Sequence, residues 1–212
     1  FTTQVEPADS LVESYQNIFR INSILIDFCR DMWLYISRGV FLQLKKEGEV
    51  GSSTMPHKIN PIQFENAEGN LGIANSYFNF LSASLPISRL QRDLSGSTII
   101  RNQGMPMSHS YLAIKQIIAG LKKIEINKTK IEFELDQHWE ILSEAIQTML
   151  RKTGMTNAYE KIKELTQGEN ITKIDYKNMV ESLPISTEEK NILLNLTPQK
   201  YIGLSIELTN FE

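Results

Sequence analysis

Leu11, Ile18, Leu25 and Met32 recur at every seventh position, and Tyr15, Asn22, Cys29 and Ile36 repeat that spacing four residues further on. Side chains separated alternately by four and three residues form a seam along one side of a helix. The spacing predicts a single helix over residues 8–47. Ile21, Ile24, Ile26, Phe28 and Trp33 add apolar surface around its middle. A helix apolar nearly all round is a buried helix. Forty residues at a rise of ~1.5 Å span roughly 60 Å. That length suits a large bundle shared between subunits better than a small monomer.

The periodicity stops at Gly48-Glu49-Val50-Gly51-Ser52-Ser53-Thr54-Met55-Pro56-His57-Lys58-Ile59-Asn60-Pro61, whose glycines, serines and prolines mark a loop. Pro61 reads as the first residue of a second helix, capped by Asn60 and ending near Ser84. After the polar turn Ser88-Arg89-Leu90-Gln91-Arg92-Asp93, a third helix is expected from Ser97 to Lys122, bent near Gly104 and Pro106. Beyond residues 123–127 the pattern shortens to helices near 128–136, 138–153, 157–167, 173–182, 187–195 and 198–208. Ser186-Thr187-Glu188-Glu189 has capping-box spacing, and Thr197-Pro198 reads as a cap followed by a first-turn proline. No alternating strand pattern with hairpin signals is evident. The expected fold class is all-α. Residues 1–121 form part of a long-helix bundle carrying the loop at 48–61, and 122–212 a smaller all-α C-terminal domain.

Charge and cysteine content narrow the function. The 212 residues hold 22 basic and 25 acidic side chains, net −3, with ten of each sign in residues 1–121. This balance argues against a general binder of nucleic acid or membrane surfaces. No apolar run reaches the ~18 residues of a membrane span. Cys29 is the single cysteine, which excludes an internal disulfide or a cysteine zinc site and fits a reducing compartment, the cytoplasm. Lying within the apolar seam, it reads as a core thiol. The three histidines, His57, His109 and His138, are scattered and form no metal constellation. The opening Phe1-Thr2-Thr3-Gln4 has no initiator methionine and no signal-peptide character, as expected of a processed, trimmed or partial chain.

The loop holds the chemistry. Its glycines let backbone approach a ligand, and Ser52 and Ser53 place two hydroxyls side by side. Lys58 adds a positive charge and Asn60 an amide donor. Such a set suits an anionic substrate, or an intermediate on which negative charge accumulates. A plain Ser/Gly connector capped by Asn60 has the same composition, so the order of the residues must decide. Gly51-Ser52-Ser53-Thr54-Met55-Pro56-His57-Lys58-Ile59-Asn60-Pro61 resembles the signature Gly-Ser-Ser-x-Met-Pro-x-Lys-x-Asn-Pro of the fumarase/aspartase superfamily, matched at every fixed position. Within it, the chain resembles the C-terminal part of bacterial-type members of the adenylosuccinate lyase family. The matching segments are Gln4-Val5-Glu6-Pro7, Phe64-Glu65-Asn66-Ala67-Glu68-Gly69-Asn70-Leu71, Ser88-Arg89-Leu90-Gln91-Arg92-Asp93, Ser97-Thr98-Ile99-Ile100-Arg101-Asn102 and Asp136-Gln137-His138-Trp139-Glu140.

The resemblance implies a homotetrameric, cytoplasmic all-α lyase of purine and AMP biosynthesis, with active sites shared between subunits. Its reaction is β-elimination of fumarate from adenylosuccinate, giving AMP, and from the succinyl-carboxamide ribotide. It needs no metal or organic cofactor and involves neither nucleic acid nor membrane. The implied catalytic residues are Ser52 as general base, Lys58, and Glu65 supporting the catalytic network. The implied substrate contacts are Gln4, Ser53, Lys58, Ile59, Asn60, Asn66, Arg92, Ser97, Thr98, Ile99, Ile100 and Arg101. Arg92, Ser97 and Arg101 suit the phosphate and ribose, with Ser97 at a helix start, while Arg89 reads as structural. The family's general acid is a histidine on an earlier segment that this sequence does not contain; His57, His109 and His138 match no catalytic position. The isolated chain is therefore expected to be inactive. The alternatives are another fumarate-releasing lyase, such as argininosuccinate lyase or fumarase, and an inert helical oligomerisation fragment.

Overall fold

The computed structural model describes residues 3–44, 60–166 and 171–210. Two units emerge, residues 1–127 and 128–212. In the first, α1 (Asp9–Ser37), α2 (Ile62–Ser84) and α4 (Gly104–Leu121) lie side by side, with the short α3 (Ser95–Ile100) between α2 and α4. The sevenfold seam of α1 faces inward: Tyr15, Asn22, Cys29 and Met32 are buried. Burial pushes the Cys29 thiol up to about 11, with the Glu68 charge adding to the effect, so it remains a protonated core group. Tyr15 meets Phe78 at 5.6 Å and Trp33 reaches Glu65, so α1 and α2 run antiparallel.

Helix α1 is shorter than its periodicity predicts. It spans 29 residues, about 44 Å, rather than running on to residue 47. Gly39 takes a left-handed φ of 74°, its N–H donating to the Ile36 carbonyl and that of Val40 to the Tyr35 carbonyl. This bond pair closes a helix C-terminus, and glycine enters that conformation without steric cost. The chain then forms β1 (Phe41–Gln43), antiparallel to β2 (Ile124–Ile126), with Phe41 opposite Ile126. Three-residue strands are too short to show an alternating pattern. The β1–β2 pairing keeps residues 124–126 within the first unit.

A buried polar network crosses the helices. Asn22 Nδ2 donates to Asn75 Oδ1 at 3.0 Å and to Ser110 Oγ at 2.9 Å, joining α1, α2 and α4 where Asn22 is only 1% exposed. Such groups favour one helix register, since a slip leaves them unpaired in a low-dielectric interior. Close packing pins α4 to α2. A Cβ built on Gly120 would lie 2.9 Å from Phe64 Cζ and 3.2 Å from Gln63 Cβ. Gly120→Val is expected to destabilise the unit by about 1–3 kcal/mol despite its loss of backbone freedom in the unfolded chain, measured by urea unfolding.

Two further expectations differ at helix starts. Pro61 is the N-cap of α2, without a side-chain cap bond, rather than the first helical residue. The helix expected from Ser97 instead starts at Ser95 and ends at Ile100, before α4 resumes at Gly104.

The second unit is entirely helical among its described residues: α5 (Lys128–Asp136), α6 (Ser143–Lys152), α7 (Ala158–Thr166), α8 (Lys173–Ser182), α9 (Thr187–Leu194) and α10 (Ser205–Thr209), with 3-10 turns at Trp139–Leu142 and Pro198–Lys200. Its core gathers Trp139, Leu142, Ile146, Leu150, Tyr176, Val180 and Leu193, and Tyr176 donates its hydroxyl to the Leu193 carbonyl. The capping box at Ser186 and Glu189 forms as its spacing predicts, and Thr172 with Asp175 forms a second. The helix expected over 198–208 is split, with Gly203 at a φ of 55°.

Candidate active site

The proline after the end of α2 turns the chain, and this turn faces the segment preceding α1. Between them opens a cleft of about 490 Å³. Val5, Glu6, Pro7 and Ala8 line one side, and Ser88, Gln91, Arg92, Asp93, Ser97 and Ile100 the other. The Gln4 backbone N–H donates to Gln91 Oε1 at 3.2 Å and ties the two sides together. Backbone strain concentrates here. Ala8, Leu90 and Gln91, with φ of 65°, 48° and 67°, are the non-glycine residues in the left-handed region among the described residues. Each costs on the order of 1–3 kcal/mol, and such strain clusters at functional sites.

Asp93 organises the turn. Its Oδ1 accepts from the Ser95 hydroxyl at 2.5 Å and the Ser95 N–H at 3.0 Å, and its Oδ2 from the Arg89 N–H at 3.2 Å and guanidinium at 3.0 Å. These bonds, the Ser95 hydroxyl foremost, hold the carboxyl down to about 2. A depressed carboxyl stabilises the fold above the unfolded-state value near 4, and that contribution fades as pH falls towards 2. Ser95→Ala is expected to move the Asp93 carbon-13 titration midpoint up towards the ordinary carboxylate range. An unchanged midpoint would refute the assignment of the Ser95 hydroxyl as its main cause.

Arg89 is thus committed to Asp93, whereas Arg92 lines the cleft with no ion-pair partner among the described residues. Arg101 Nη2 reaches Ser97 Oγ at 3.4 Å, across one turn. Ser97 is the third residue of α3, within its first turn and two residues after the helix begins at Ser95. Ile100 lines the cleft, Thr98 is exposed, and Ile99 packs against the core of Tyr15, Ala74, Phe78 and Leu81.

A second set of expected site residues gathers at the opposite end of α2. Asn60 is half-buried just before the helix. Glu65 Oε1 accepts from the Trp33 indole N–H at 3.0 Å. Asn66 Oδ1 accepts from Asn70 Nδ2 at 3.1 Å, and Asn70 Oδ1 lies 2.7 Å from His109 Nδ1. Ser52, Ser53, Lys58 and Ile59 lie outside the described residues. Along the helix, Glu65 and Leu85 are about 30 Å apart. One chain therefore brings Gln4, Arg92, Ser97 and Ile100 to one end and Asn60, Glu65 and Asn66 to the other. Sequence reasoning missed Trp33, Asn70 and His109 as the side chains that hold Glu65 and Asn66, and Asp93 as the acceptor that holds Arg89 and Ser95. Their roles arise from contacts between distant segments, and only Asp93 and Asn70 fell within segments singled out beforehand. Among the described residues no cluster of His, Cys, Asp and Glu has metal-binding geometry, and no helix is long and apolar enough to cross a membrane.

Comparison with known proteins agrees along the chain. Residues 88–202 match the family described as adenylosuccinate lyase C-terminal, and residues 1–74 a family described as lyase. Adenylosuccinate lyase of Vibrio cholerae is 48% identical over 99% of this chain and 46% of its own length. That of Dictyostelium discoideum is 51% identical over 96% of the chain and 44% of its own length. The Escherichia coli enzyme is 45% identical over 99% and 46%. The chain thus spans a little under half the length of these relatives. A 3-carboxy-cis,cis-muconate lactonizing enzyme from Pseudomonas putida shares the fold at a TM-score of 0.66 and 23% identity, covering 92% of this chain and 45% of its own. A class II fumarase from Schistosoma mansoni does so at 0.58 and 19%, covering 91% and 37%. With the signature loop, the helical bundle and relatives matched across nearly its whole length, the chain belongs to the adenylosuccinate lyase family of the fumarase/aspartase superfamily.

Proposed function

We propose that this chain contributes most of the substrate-binding and base machinery of an adenylosuccinate lyase, which eliminates fumarate from adenylosuccinate and from the succinyl-carboxamide ribotide. The observation that carries the reading is the strained cleft presenting Arg92, Ser97 and Ile100, with Asp93 occupied by Arg89 and so leaving Arg92 available for an anion. A guanidinium fork suits a nucleotide phosphate. At the other end of α2, Lys58 and Asn60 bind the succinyl carboxylates. The Ser52 oxygen, ionised by nearby positive charge, removes the proton beside one carboxylate. The electron pair moves into that carboxylate, giving an aci-carboxylate dianion. Its collapse breaks the C–N bond as a general acid protonates the leaving nitrogen. That acid is a histidine supplied from outside these 212 residues, supported by Glu65. A nucleotide does not span the roughly 30 Å separating the two groups within one chain. A complete site therefore joins the phosphate end of one subunit to the succinyl end of another.

An apolar stripe supports assembly. Met107, Tyr111, Ile114, Ile118 and Leu121 of α4 are exposed at alternating spacings of four and three, on a flank about 100° round the helix from buried Pro106, Ser110, Ala113, Ile117 and Gly120. Charge on this stripe, as in Ile118→Glu, is expected to split a cytoplasmic homotetramer into smaller species by sedimentation.

The test uses the full-length protein. It is expected to release fumarate from adenylosuccinate; activity on argininosuccinate or fumarate hydration instead would reject the reading. Ser52→Ala and Arg92→Ala subunits, each inactive alone, are expected to regain activity when co-expressed. A mixture as inactive as its parents would rule out shared sites. The 212-residue chain alone is expected to show no turnover.

A further inference from the structure

The Asn66 side chain ends a hydrogen-bonded chain whose polarity is fixed by geometry. A backbone carbonyl only accepts. Asn70 Nδ2 lies 2.8 Å from the Asn66 carbonyl oxygen, so this end of the Asn70 amide is its donor. Its Oδ1 then faces His109 Nδ1 at 2.7 Å, across the contact between α2 and α4. An amide oxygen also only accepts, so His109 Nδ1 carries the proton whichever charge state the ring holds. The second hydrogen of Asn70 Nδ2 points to Asn66 Oδ1 at 3.1 Å. Turning the Asn66 amide over would set donor against donor. Asn66 Oδ1 therefore faces inward and its Nδ2 outward, where among the described residues nothing accepts from it.

We propose that His109 and Asn70 are positioning residues that hold Asn66 as an outward hydrogen-bond donor for an acceptor oxygen of the substrate. This rests on the reading above, in which the start of α2 faces the reacting molecule. His109 works through the fixed Nδ1–H and transfers no proton. Its donor role is met by an asparagine amide, which takes the place of Nδ1, and not by phenylalanine.

Two experiments on the full-length protein test this. The first needs no activity: nitrogen-15 spectra of protein labelled only in histidine, with His109 identified by its loss in His109→Asn. The Nδ1 resonance is expected to stay protonated from acid to alkaline pH, and to lose that preference in Asn70→Leu. A neutral ring carrying its proton on Nε2 would overturn the proposal. The second is kinetic. His109→Phe and Asn70→Leu are each expected to raise KM about three- to tenfold, the worth of one hydrogen bond, with a smaller change in kcat. His109→Asn should restore the wild-type value, and the double variant should lose no more than either single one. Weakened inhibition by fumarate would assign the acceptor to a carboxylate, and by AMP to the nucleotide. Unchanged KM in His109→Phe, or failure of His109→Asn to restore it, would overturn the proposal. Spectra as expected in a protein that does not cleave adenylosuccinate would reject the lyase reading and leave the positioning geometry standing.

Discussion

Phe64→Ala is expected to cost about 3–5 kcal/mol, a large share of the 5–15 kcal/mol that holds a typical domain together. Phe64 is fully buried, meets Phe28 edge-on at 6.3 Å, and fills the space that Gly120 leaves where α4 crosses the start of α2. Removing the ring loses its transfer energy and leaves a cavity between helices held apart by other contacts. The readout is the urea midpoint at an unchanged denaturant slope. A loss below 1 kcal/mol would show that the helices close over the gap. A second variant makes the argument specific. Val at position 120 clashes with the Phe64 ring, so Phe64→Ala with Gly120→Val should cost clearly less than the sum of the two. Additivity would mean that the ring and the glycine are not in contact. Phe64 also precedes Glu65, so losing it should lower activity more than an equally destabilising change in the second unit.

The sequence revealed the bundle because its strongest periodic signal, the seam of Tyr15, Asn22 and Cys29, is the buried face of α1. It did not reveal where α1 ends. The apolar pattern continues through Phe41, but a single glycine, Gly39, in a left-handed turn outweighs it. The 3-10 turns at Trp139 and Pro198 were read as continuous helix because i,i+3 and i,i+4 patterns look alike over one turn. The candidate site was legible only as separate segments. Nothing local in Gln4 and Gln91, 87 residues apart, announces their bond. His109 matches no catalytic position of the family, and its bond to Asn70 on another helix leaves no local signal. The separation of Glu65 from Arg92 follows from the expected second helix, since Glu65 lies in its first turn and Arg92 beyond its end.

Ser52→Ala in the full-length protein is expected to lower kcat on adenylosuccinate by about 10²- to 10⁴-fold, the usual worth of a positioned general base. KM should change little, because the proposed carboxylate and phosphate contacts, Lys58, Asn60 and Arg92, remain. Lys58→Ala should act differently. The ammonium meets the carboxylate in the ground state and the extra charge in the aci-carboxylate, so both KM and kcat should worsen. Ser53→Ala should raise KM with a smaller loss of kcat, since Ser53 is assigned contact rather than proton removal. The decisive comparison is proton exchange. With Ser52 as base, Ser52→Ala should abolish exchange of the abstracted hydrogen with deuterated solvent together with turnover. Exchange that survives in Ser52→Ala but not in Ser53→Ala would move the base to the second serine. Survival in both would place it outside the loop.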